Sequence, residues 1–165
     1  MKMVLRADGD QKIGMGHIYR SITLSKEFVK HSFDVFFLTK NKNIVEKLTK
    51  IPVIEVEGKN EMNIIKKINP EVIIADNLVH KSNQVYMKRL KENCKLLVAV
   101  DDIKNTGVAD IAINVLYPTK KSSSFKYAIL RPEFSKIRKK YRIKKNVKNV
   151  LVLQGGSDTY GMTPK

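Results

Sequence analysis

The run Gly14-Met15-Gly16-His17, set shortly after Arg6-Ala7-Asp8, brings a guanidinium, a carboxylate and an imidazole to one turn of the chain. Upstream, Met3-Val4-Leu5 reads as a buried first strand. Downstream, Ile18, Ile22, Leu24, Ser25, Phe28 and Val29 fall mostly on one helical face. The glycines and His17 therefore occupy a strand-to-helix handover, where backbone N–H groups attract anions. The positive end of the helix dipole disfavours an imidazolium there, which leaves His17 able to accept a proton as a general base. Gly14 and Gly16 let the backbone approach a bulky anionic substrate. The alternative is a histidine that only finishes the helix start, with glycines serving a turn. Residue types alone leave both open.

Other chemistries fit less well. A dinucleotide fingerprint needs a third glycine where Tyr19 stands and an acid after the second strand, where Thr39-Lys40 stand. A phosphate loop of the Walker type needs lysine after Gly16, and His17 is there instead. His17, His31 and His80 are isolated from one another, so no metal site is expected, and no cofactor either. His31 reads as a surface residue after the first helix, and His80 as a loop residue. Cys94 is the single cysteine and reads as a small packing residue beside a strand.

The elements that must carry this loop follow from the apolar runs. Strands are expected over residues 33–39, 53–56, 71–75, 95–100 and 111–116, and helices over 43–50 (capped by Asn41), around Met62, Ile64, Ile65 and Ile68, and over 82–93. Asn69-Pro70 should end the second of these helices. Near-continuous apolar strands alternating with helices predict an α/β, Rossmann-like, doubly wound and mainly parallel sheet. Polar residues gather where strands end: Asp8, Asp76 with Asn77, Asp101 with Asp102, and Asn114. Ligands of such sheets bind along that edge. Asp101 and Asp102 serve either a ligand or the following turns. Residues 147–153 read as one more strand, running into Gln154-Gly155-Gly156-Ser157-Asp158. The expected division is a domain over 1–147 and, over 148–165, the first strand and glycine loop of a further α/β domain, absent here.

The ordered set Arg6-Ala7-Asp8, Ile13-Gly14-Met15-Gly16-His17-Ile18-Tyr19-Arg20, Thr23-Leu24-Ser25, Ile73-Ile74-Ala75-Asp76, Val100-Asp101-Asp102, Ile113-Asn114, Tyr127-Ala128-Ile129-Leu130-Arg131-Pro132-Glu133-Phe134 and Leu153-Gln154-Gly155-Gly156-Ser157-Asp158 resembles a known family. It is that of the UDP-2,4-diacetamido-2,4,6-trideoxy-β-L-altropyranose hydrolases of pseudaminic acid biosynthesis and their spore-coat polysaccharide relatives. The resemblance implies the N-terminal half of a GT-B two-domain architecture. It implies His17 as the catalytic base, deprotonating a water that attacks the anomeric carbon of a UDP-sugar and expels UDP. Arg6, Asp8, Gly14, Met15, Gly16, Arg20, Asp76 and Asn77 would contact substrate, and Gly155, Gly156 and Ser157 the nucleotide. Arg6 and Asp8 could also form a mutual ion pair holding the loop, a role that can coexist with substrate contact, and Arg20 could merely solvate its helix. Relatives often carry an aromatic residue where Leu78 stands, so the sugar is left open. A glycosyltransferase using the same cleft is the competing enzymatic reading. By the same resemblance the fragment alone would have little activity, because the uridine site lies mostly in the absent domain.

Composition narrows the classes further. Lysine and arginine number 32 against 16 acids, a formal net charge of +16, which calls for an anionic partner. The densest basic run, residues 136–145, holds a single aromatic, Tyr141, where single-stranded nucleic-acid binders interleave several stacking rings, so a nucleic-acid partner ranks behind a UDP-sugar. No stretch approaches the roughly 18 apolar residues of a membrane span. With one cysteine and no leader-like start, a cytoplasmic location is expected.

Overall fold

The computed structural model describes residues 1–10, 12–76, 84–102, 107–115, 125–136, 145–153, 158 and 161–162. Strands β1 (Lys2–Ala7), β2 (Asp34–Thr39), β3 (Val53–Glu55), β4 (Val72–Asp76), β5 (Leu96–Val100) and β6 (Ile111–Ile113) form a six-stranded sheet in the order β3-β2-β1-β4-β5-β6. Every pairing is parallel, with Val4 opposite Phe36 on one side and Ile73 on the other. Helices α1 (Gly16–Lys30), α2 (Lys42–Val45), α3 (Glu61–Ile68), α4 (Gln84–Lys91) and α5 (Pro132–Lys136) complete the order. This is the expected Rossmann-like α/β sheet.

Alternation along β1 explains the layers. Met3, Leu5 and Ala7 pack with Ile18 and Ile22 of α1 on one face. Val4 belongs to the opposite face, with Ile65 and Ile68 of α3 and Met87 and Leu90 of α4. Because both faces are covered, β1 and β4 read as apolar runs without a polar side. Each fully buried Leu or Ile here contributes about 1.5–3 kcal/mol of transfer free energy. Asn69 ends α3 in the left-handed conformation at φ 51°, its N–H bonded to the Ile65 carbonyl.

Several boundaries differ from expectation. Helix α2 stops at Val45, its one buried residue, having little apolar face to extend, and Asn41 makes no side-chain cap. At the end of α1, Val29 is exposed because Phe28 takes the last-turn contact, edge-on to Phe33 at 5.2 Å between centroids. Strand β6 ends at Ile113 rather than continuing through Asn114 and Val115. Residues 147–153 pair with no strand among the described residues, and Leu151 is 85% exposed. A strand needs a neighbour to accept its hydrogen bonds, and this segment has none there.

Candidate active site

The strand order turns around between β1 and β4, the switch point at which open α/β sheets bind ligands. The loop from β1 to α1 lies at this point. Asp10 shapes it: its Oδ1 accepts from the N–H groups of Lys12 at 2.8 Å and Ile13 at 2.9 Å, while its carbonyl accepts from Gly14 N–H at 2.8 Å. Gly14 closes the turn at φ 81°, which a side chain would resist. Gly9 is glycine for another reason, since a Cβ there would fall 2.6 Å from Ile18 Cγ1. Met15 then starts α1 without a side-chain cap, and a Cβ on Gly16 would meet nothing within 4 Å.

His17 and Arg20 stand one turn apart on α1 and both reach the last residue of β4. His17 Nδ1 lies 2.7 Å from Asp76 Oδ1, across 59 residues of sequence. Arg20 donates from Nε to Asp76 Oδ2 at 2.5 Å and from Nη2 to Oδ1, and its Nη1 pairs with Asp101 Oδ2. Ser21 Oγ adds a contact to Asp76 Oδ2 at 3.4 Å. Asp76 is 1% exposed, so its charge is held by protein donors rather than by water.

These contacts choose the imidazole tautomer. Arg20 Nη2 is also 3.1 Å from His17 Nδ1, and could donate to it only if that nitrogen were unprotonated. A lone pair would then face the Asp76 carboxylate at 2.7 Å. A proton on Nδ1, donated to Asp76, removes that repulsion and makes a short charge-assisted bond. Nε2 then carries the free lone pair. A carboxylate that fixes one ring nitrogen so that the other can act as base is the arrangement that orients histidine in hydrolytic triads. Burial opposes the charge of Arg20, but hydrogen bonding to Asp76 and the charges of Asp76 and Asp101 raise its pKa above the ordinary value.

Arg6 and Asp8 form the mutual ion pair. Arg6 is 4% exposed and bridges two carboxylates, with Nη2 donating to Asp8 Oδ2 at 2.9 Å and Nε to Glu61 Oε1 at 2.7 Å. Tyr86 Oη donates to the same Glu61 oxygen at 2.7 Å, and Lys40 N–H to Asp8 Oδ1 at 2.8 Å. Burial raises the Asp8 pKa, but Arg6 and the Lys40 N–H outweigh it and hold the carboxyl below its usual range. Neither residue lines the groove beside His17. They tie β1 to α3 and to the end of β2. Asp101 likewise does turn work as well as pairing Arg20, accepting Val115 N–H at 2.8 Å.

That groove, of about 370 Å³, runs between the start of α1 (Gly16, His17, Tyr19, Arg20, Thr23) and a wall formed by Ile129, Leu130, Arg131 and Phe134. Of the expected contacts, Gly16, His17 and Arg20 line it, and Asp76 lies behind the histidine. Gly14 shapes the turn, and Met15 packs on the core. Asn77, Gly155, Gly156 and Ser157 lie outside the described residues, as do Leu78 and His80. The sequence reading attached no role to the wall at 129–134, because nothing in the spacing of that segment ties it to His17. Among the described residues no three His, Cys, Asp or Glu side chains gather as a metal set. Burial raises the Cys94 pKa, which suits a packing thiol.

No protein-family model matches the chain. Two relatives align with it. "Uncharacterized protein MJ1062" of Methanocaldococcus jannaschii is 31% identical over 189 residues, covering 100% of this chain and 39% of that protein. The UDP-2,4-diacetamido-2,4,6-trideoxy-beta-L-altropyranose hydrolase of Campylobacter jejuni is 28% identical over 174 residues, covering 96% of this chain and 61% of the hydrolase. The chain thus spans less than two thirds of either relative.

Proposed function

We infer that this chain carries the base-bearing half of a nucleotide-sugar hydrolase, with His17 as general base. The observation that carries this reading is the 2.7 Å contact of His17 Nδ1 with buried Asp76, which leaves Nε2 as the proton acceptor of a groove-lining ring. The similarity to the Campylobacter hydrolase supports a UDP-linked sugar as substrate. In the step, a water oxygen bonds to the anomeric carbon while its proton passes to Nε2. The bond from that carbon to the diphosphate oxygen breaks, and its electron pair leaves with UDP. Gly16, with an open Cβ position at an uncapped helix start, gives the sugar diphosphate a close approach to backbone N–H groups. Residues 148–165, with Gly155, Gly156 and Ser157, would open the nucleotide-binding domain of a GT-B pair.

The test is UDP release from a UDP-linked diacetamido sugar by the polypeptide that carries this chain. Replacing His17 with Ala should slow release by at least about 10²-fold, the usual share of a general base. Undiminished release in His17→Ala, or release that requires a sugar acceptor, would overturn the hydrolase reading.

A further inference from the structure

We propose that Arg131 and Phe134 form a clamp for the sugar-diphosphate part of a ligand, on the wall of the groove opposite the start of α1. The two guanidiniums on this groove are not equivalent. Arg20 is held by Asp76 and Asp101, which take a hydrogen bond from each of its three guanidinium nitrogens and balance its charge. Arg131 is exposed and pairs with no carboxylate among the described residues. Its guanidinium carbon lies 5.1 Å from the centroid of the Phe134 ring. A guanidinium held by a cation–π contact keeps N–H donors for another partner, and their planar fork matches the paired oxygens of a phosphate.

The rest of the wall suits a ring rather than a bare ion. Phe134 is 57% exposed, and Leu130 and, from α1, Tyr19 are also exposed large apolar side chains along the groove. An apolar face beside a cation is matched by a ligand with C–H surface next to a phosphate, as a pyranose diphosphate has. At about 370 Å³ the groove is near the lower end of the roughly 300–1,000 Å³ of ligand pockets. It has room for the sugar and its phosphates and leaves the nucleoside outside. The clamp deepens the hydrolase reading and borrows from it only which end of the ligand faces His17. Its anion site stands on the groove itself.

Titration of the chain with inorganic pyrophosphate and with UDP, followed by NMR at Gly16, His17, Arg131 and Phe134, tests it. Both probes should give saturable shifts at these residues. Arg131→Gln should weaken binding about tenfold, as expected for loss of a charge-assisted contact, and Arg131→Lys should restore part of it. Lys26→Gln, which removes one charge from the neighbouring α1 surface, should leave binding unchanged. In the unaltered chain, pyrophosphate should slow phenylglyoxal modification of Arg131, a readout that needs no variant. Shifts scattered over surface lysines, equal binding by Arg131→Gln, or no protection of Arg131 would overturn the clamp. The two readings fail separately. His17→Ala should keep pyrophosphate binding while losing hydrolysis, whereas a wrong clamp leaves His17-dependent UDP release intact.

Discussion

Asp76 does more for His17 than hold its ring in place. With Asn at this position the volume is kept and Arg20 still finds a carbonyl oxygen, but the choice of ring tautomer loses its cause. The amide nitrogen can turn toward His17 Nδ1 and donate to it, placing the ring proton on Nε2, where a base is needed. Asp76→Asn should therefore shift His17 toward the Nε2–H tautomer, read by long-range nitrogen–proton NMR correlations, and cut UDP release by about 10²–10⁴-fold. An unchanged tautomer would remove Asp76 from the mechanism. This part of the site was half legible. His17 stood out as an imidazole after two glycines, and Asp76 as an acid at the end of an apolar strand. Their contact depends on β4 lying beside β1, which no local periodicity encodes. The same holds for Arg6, whose buried partner Glu61 belongs to a helix start 55 residues away.

At the scale of elements, the turn from β1 into α1 is where backbone geometry and chemistry meet. Gly14 sits at φ 81° with open space around its Cβ position, so alanine there costs backbone strain and little else. We expect Gly14→Ala to lower stability by about 1–2 kcal/mol, measured by urea unfolding, and to move the His17 resonances because the start of α1 shifts. Full retention of stability would mean that the turn is not held as described. Strands buried on both faces were the most readable elements, since a run such as Val72–Asp76 offers no polar side for a helix to turn outward. Short elements were read less well. The end of α2 depends on how far Val45 reaches the core, and β6 on how long β5 runs beside it. Residues 147–153 carry the apolar, β-branched pattern of a strand, but a strand also requires a neighbour, and none of the described strands lies beside them.

For the molecule as a whole, charge opposes folding. The formal net charge of +16 is spread over a chain of 165 residues, and like charges repel more strongly once the chain is compact. Two kinds of ion pair work against this. Surface pairs such as Lys30–Glu27 and Lys42–Glu46 contribute little, because water and dissolved ions screen exposed charges. The pairs of Arg6 with Asp8 and Glu61, and of Arg20 with Asp76 and Asp101, are largely shielded from solvent, where dissolved ions screen them weakly. Added sodium chloride should therefore relieve the long-range repulsion while sparing the pairs that hold the site. Between about 10 and 150 mM salt the Debye length falls from roughly 30 to 8 Å, which removes most repulsion between distant lysines. A gain of about 1 kcal/mol corresponds to a rise in Tm of roughly 2–4 °C for a chain of this size. Thermal unfolding followed by circular dichroism at the two salt concentrations measures it. A Tm that falls with salt would mean that surface pairs, rather than the buried clusters at the sheet edge, provide the larger electrostatic share of stability.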